Sequence, residues 1–93
     1  MIYSFRHKGV EAFFLSGKTS GIQARHAKRL RLQLARLHRA RGPQDMAAPG
    51  WRLHPLKGRL SGQWSVWVDA HWRLTFAFRN DGDAEFVDYQ DYH

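Results

Sequence analysis

The sequence predicts an α+β domain in which two N-terminal helices pack on a small antiparallel sheet. Two periodicities carry that expectation. Residues 20–41 repeat apolar positions at helical spacing, whereas residues 64–89 alternate at period two. A length of 93 residues adds that one domain, 1–93, holds a single small core.

In chain order, Met1 to Phe5 alternates loosely and reads as a short strand. Val10, Phe13 and Phe14 fall at i, i+3 and i+4, predicting a short helix that ends near Gly17. The clearest element runs from Ser20 to Arg41. Ala27, Leu30, Leu34 and Leu37 form one narrow stripe, with Arg25, Lys28, Arg29, Arg36 and Arg39 on roughly the opposite side. Thr19 or Ser20 can cap its start, and Gly42-Pro43 ends it. Gly42 to Gly50 then reads as a linker. Beyond it, Trp64, Val66 and Val68 share one strand face, and Trp72, Leu74, Phe76 and Phe78 share a face of the next. A three-residue loop, Asp69-Ala70-His71, keeps these faces together. It sets Val68 opposite Trp72, Val66 opposite Leu74 and, on the other face, Trp67 opposite Arg73. Asn80 to Asp83 is a turn, and Ala84 to Tyr89 is a third strand.

Composition excludes several classes. There is no cysteine, hence no disulfide scaffold, thiolate zinc site or cysteine nucleophile. No apolar run approaches the ~20 residues of a membrane span, and the first ten residues lack the apolar core of a signal peptide. A cytoplasmic domain with no membrane partner is the expectation.

The net charge of +7 understates an asymmetry. All 15 Lys and Arg lie in residues 1–79, where only Glu11, Asp45 and Asp69 oppose them, leaving +12. Residues 80–93 hold five acids and no Lys or Arg, giving −5. A basic body of this size suits a polyanion such as RNA, because phosphate neutralisation releases counterions. Plain solvation or an acidic partner protein accounts for the basic helix face equally well.

On the face away from the apolar stripe the hairpin offers Ser65, Trp67, Arg73, Thr75 and Arg79. The preceding loop supplies His54, Lys57 and Arg59, and the end of the chain Asp91, Tyr92 and His93. These are imidazole, ammonium, guanidinium and phenol groups without an obvious nucleophile. RNA cleavage suits that inventory, because the substrate's own 2′-OH attacks the adjacent phosphorus. The protein then needs only to move protons and stabilise phosphate charge. An exposed strand arginine, an ordinary basic loop and a frayed terminus are the competing accounts. His7, His26, His38 and His71 show no ligand spacing and are expected at the surface. No metal or cofactor is proposed, and no phosphate-binding glycine loop is present.

Several segments together resemble HigB-type toxins of the RelE superfamily. They are Met1-Ile2-Tyr3-Ser4-Phe5-Arg6-His7-Lys8-Gly9, Arg52-Leu53-His54-Pro55-Leu56-Lys57-Gly58, Gly62-Gln63-Trp64-Ser65-Val66, Trp72-Arg73-Leu74-Thr75-Phe76 and the ending Asp88-Tyr89-Gln90-Asp91-Tyr92-His93. The likeness is collinear over essentially the whole chain. It implies the toxin of a type II toxin–antitoxin pair, which enters the ribosomal A site and cuts messenger RNA within codons. It also implies a HigA-type helix-turn-helix antitoxin, through which the complex would meet operator DNA. The family's reactive groups fall on His54, Lys57, Arg73, Asp91, Tyr92 and His93. Arg73 would clamp the scissile phosphate, and Lys57 would stabilise its charge or take the 2′-OH proton. His93 would be acid or base at the other end, Tyr92 would stack on or hydrogen-bond the substrate, and His54 would support either. Asp91 would orient a neighbour. Arg25, Lys28, Arg29, Arg36, Arg59, Trp67 and Arg79 are the expected RNA contacts.

One departure stands out. Some members carry a second arginine on the strand before the hairpin, where this chain reads Ser65-Val66-Trp67-Val68-Asp69. Arg59 or Arg79 would have to substitute. A non-catalytic basic module that binds RNA, the ribosome or an antitoxin, or a decayed toxin, is the alternative.

Overall fold

The computed structural model describes residues 1–92. Two helices pack on one face of a four-stranded antiparallel meander, as the sequence predicts. Helix α1 spans Lys8–Ser16. His7 Nδ1 accepts the Val10 amide at its start, and Gly17 closes it in the left-handed conformation. Helix α2 spans Ala27–Arg39, preceded by a single 3-10 turn at Ala24–His26. It therefore starts later than the sequence predicts, and neither Thr19 nor Ser20 caps it. Gly21 lies backbone to backbone against Gly9, and a Cβ on Gly9 would stand 2.3 Å from the Gly21 oxygen. That approach holds the segment before α2 in a turn rather than a helix.

Strand β1 (His54–Pro55) pairs with β2 (Gln63–Trp67), β2 with β3 (Trp72–Phe78), and β3 with β4 (Ala84–Asp91). The predicted register holds: Val66 faces Leu74 and Trp67 faces Arg73. The Val68 amide bonds the Trp72 carbonyl at 2.9 Å, as the three-residue loop requires. Leu30, Leu34 and Leu37 meet Val66, Leu74, Phe76 and Val87 in the core, with Val10 and Phe13 from α1. Each of these side chains contributes about 1.5–3 kcal/mol by leaving water.

Three other expectations change. The first five residues form no ladder. They touch the edge of β4 through isolated parallel bridges, Ile2 to Ala84 and Phe5 to Val87. A bulge on β4 causes this: Phe86 takes a φ of 57°, and the Val87 amide turns to the Ser4 carbonyl. Gly42 to Gly50 is not a loose linker, because the 3-10 turn Pro43–Met46 drives Met46 fully into the core. His26 is not a surface residue; it is only 3% exposed. His38 is half-buried and accepts the Ile2 amide through Nδ1.

Candidate active site

The sheet face opposite the core carries the site. Cross-strand neighbours share a face, so His54, Ser65 and Thr75 form one row, and Trp67, Arg73 and Gln90 the next. Ser65 and Thr75, expected among exposed groups, are buried, and Gln90 Nε2 donates to Thr75 Oγ1 at 3.2 Å. Around this floor opens a cleft of about 390 Å³ lined by Arg52, His54, Leu56, Ser65, Trp67, Arg73 and Tyr92.

The floor is rigid because Trp67 is held through its backbone. Its amide donates to the Trp51 carbonyl at 2.7 Å. Its carbonyl accepts Gln33 Nε2 at 2.8 Å and Arg29 Nη2 at 3.3 Å from α2. Arg29, predicted on the solvated basic face, is thus half-buried and spent on carbonyls, including that of Gly50 at 2.9 Å. Its guanidinium reaches inward because the Gly50 carbonyl, in the loop before β1, and the Trp67 carbonyl, at the end of β2, both lie within its span.

Arg73 enters the cleft from β3. Its Nη1 donates to the carbonyls of Asp69, Ala70 and Trp72, which fixes one edge of the guanidinium. The carbon of that group stands 4.1 Å from the Trp67 ring centre and 5.3 Å from that of Tyr92. Burial lowers its pKa, Tyr92 and Asp69 oppose the shift, and the nearby Arg52 adds to it. Guanidinium remains charged regardless, so the cleft presents a fixed, partly desolvated cation.

The loop that presents Arg73 is itself tied down. Asp69 Oδ1 accepts the His71 and Trp72 amides, each at 2.9 Å. Its Oδ2 lies 2.6 Å from His26 Nε2. Burial pushes the Asp69 carboxyl up, but the hydrogen bonds from His26, His71 and Trp72 outweigh it and hold the pKa at about 2. His26 Nδ1 in turn lies 2.5 Å from the Tyr89 hydroxyl, whose pKa burial raises.

Of the predicted reactive groups, the structure brings His54, Arg73 and Tyr92 to the cleft, together with Trp67. Lys57 and Arg59 are exposed just past Leu56 and do not line it. Asp91 is exposed at the end of β4, opposite Trp72. His93 lies outside the described residues. Arg79 sits at the far end of β3, its guanidinium 3.6 Å from the Tyr3 ring centre and 3.5 Å from Asp81. Arg25 lies 3.8 Å from Asp69, and Arg36 donates to the Asp45 carbonyl. Lys28 is exposed on α2. Arg52 is the cleft residue that sequence reasoning missed. The signal was slight: an arginine beginning the Arg52–Gly58 segment, unremarkable until the fold stacks it on Trp67.

Comparison with known proteins identifies the family. Residues 3–93 match the family model for the RelE-like toxin of the type II toxin–antitoxin system HigB. Over 93 residues, all of both chains, the sequence is 43% identical to "Endoribonuclease HigB" of Proteus vulgaris. The fold also superposes on the YoeB/ParE toxin from Agrobacterium tumefaciens with a TM-score of 0.65, covering 100% of both chains at 19% identity.

Proposed function

The chain belongs to the HigB family of RelE-like type II toxins, and from that premise we propose that it is an endoribonuclease which cuts messenger RNA in the ribosomal A site. One observation carries the proposal: the cleft gathers His54, Trp67, Arg73 and Tyr92 on the sheet face turned away from the core. It supplies cations, an imidazole and aromatic faces, and among the described residues its lining includes no carboxylate to compete with phosphate.

Arg73 clamps the scissile phosphate, and its edge-anchored guanidinium stabilises charge as the phosphorus gains a fifth oxygen. His54 takes the 2′-OH proton while the 2′-oxygen bonds to phosphorus, since it lines the cleft and Lys57 does not. The bond from phosphorus to the 5′-oxygen breaks, leaving a 2′,3′-cyclic phosphate, and His93 protonates the departing oxygen. Tyr92 and Trp67 stack against the codon, and Asp91 orients its neighbours. Lys57, Arg59 and the exposed cations of α2 meet ribosomal RNA phosphates. The chain's partner is a HigA-type antitoxin, and the pair represses its operon through the antitoxin's helix-turn-helix.

The test is cleavage on programmed ribosomes by wild type, Arg73→Ala and a chain lacking His93, with naked messenger RNA as control. Cuts that appear only with ribosomes, and vanish in both variants while ribosome binding persists, are expected. A folded wild type that binds ribosomes without cutting leaves the alternative, a non-catalytic binding module.

A further inference from the structure

Arg73 is not the only cation of the cleft, and the second is neither Arg59 nor Arg79. Arg79 is engaged with Tyr3 and Asp81 at the other end of β3, and Arg59 is outside the lining. Arg52 is inside. Its guanidinium carbon stands 4.1 Å from the Trp67 ring centre, the same distance as that of Arg73. Two points 4.1 Å from one centre are at most twice that, 8.2 Å, apart. Because Arg52 is not anchored as Arg73 is, its fork can swing from the ring toward a phosphate that Arg73 holds.

Three further observations turn this proximity into a site. Arg73 is anchored to three carbonyls, whereas Arg52 makes no hydrogen bond or ion pair among the described residues and keeps its donors free. Among the described residues no carboxylate lines the cleft, so the two like charges there favour an incoming anion. Finally, Arg52 occupies a φ of 52°, a left-handed conformation that glycine tolerates and a long side chain does not favour. The buried Trp51 beside it, bonded to the Trp67 amide, holds the backbone there. Strain kept at a cleft residue, with a stabilising alternative one substitution away, points to use.

We propose that Arg52 and Arg73, both packed on Trp67, form a two-guanidinium clamp on one RNA phosphodiester. The proposal rests on the nuclease reading of this cleft and names a second cation that touches its substrate.

The experiment compares wild type, Arg52→Ala, Arg52→Lys, Arg52→Gly and Arg73→Ala in two assays. One is single-turnover cleavage on programmed ribosomes. The other is binding of a 2′-O-methyl RNA oligonucleotide, which offers phosphates and cannot be cut, across a salt series. Arg52→Ala is expected to slow cleavage about 100-fold and to flatten the slope of log affinity against log salt by about 0.7. Arg52→Lys should restore the salt slope and only part of the rate. Arg52→Gly should melt no lower than wild type yet cleave as poorly as Arg52→Ala, an outcome that a purely structural arginine would not give. Binding and cleavage unchanged in Arg52→Ala, with both impaired in Arg73→Ala, overturn the clamp and leave the nuclease. A wild type that cannot cleave but binds the oligonucleotide in an Arg52-dependent way keeps the clamp and discards the nuclease. Binding independent of Arg52 in a wild type that cannot cleave overturns both.

Discussion

His26 Nε2 lies 2.6 Å from Asp69 Oδ2, and this contact connects the start of α2 to the loop that aims Arg73. The carboxylate serves two masters at once, since its other oxygen holds the His71 and Trp72 amides while its own backbone carbonyl accepts Arg73. A buried imidazole thereby sets the position of a guanidinium it never touches.

That arrangement makes part of the stability acid-sensitive. The folded pKa of Asp69, about 2, lies below its ordinary value of 3.8. A depressed carboxylate stabilises the fold above its unfolded pKa, and the contribution disappears as pH falls through the folded one. Melting temperature should therefore drop between about pH 4 and pH 2, and Asp69→Asn should flatten that limb. An unchanged limb in Asp69→Asn would place the acid sensitivity elsewhere.

Trp67 carries two guanidiniums on one ring. Each contact is worth about 0.5–1 kcal/mol where exposed. Trp67→Ala is expected to raise KM for programmed ribosomes about tenfold with a smaller change in kcat, and Trp67→Phe to recover part of the loss. Equal kinetics for alanine and tryptophan here would show the ring to be a bystander.

Arg73 acts through its shape as well as its charge. Lysine would keep the charge and lose both the anchored edge and the fork. Arg73→Lys should retain ribosome binding and lose cleavage at least tenfold, as measured by single-turnover rates.

The contact of Gly9 with Gly21 leaves no room for a methyl group. Gly9→Ala should cost about 1–3 kcal/mol, and each kcal/mol lowers the melting temperature of a domain this size by about 4–8 °C. Differential scanning calorimetry reads this directly. A melting point equal to wild type would mean that the two segments part easily.

The sheet was legible because its information is local. Alternation at Trp64, Val66, Val68, Trp72, Leu74 and Phe76 admits one register once both faces must match, and Arg73 follows onto the open face. Helix α2 was legible in its stripe and not in its start, since Gly21 is held by Gly9, twelve residues earlier in the chain. His26 and Arg52 were not legible for the same reason. The partners of His26 are 43 and 63 residues away, and Arg52 acquires meaning only where Trp67 passes beneath it. Lys57 shows the converse, since its motif is conspicuous in sequence while its side chain lies outside the cleft lining.

The bridges from Ile2 to Ala84 and from Phe5 to Val87 bear on the order of events during synthesis. The Ser4 hydroxyl, which accepts the Phe86 amide, spans 82 residues of separation. Such long-range closures come late, because the connecting chain must first give up its freedom. On a translating ribosome the opening residues emerge well before the strand edge they need. The same strand delivers Tyr92 to the cleft, so the cleft lining becomes complete only once β4 has docked.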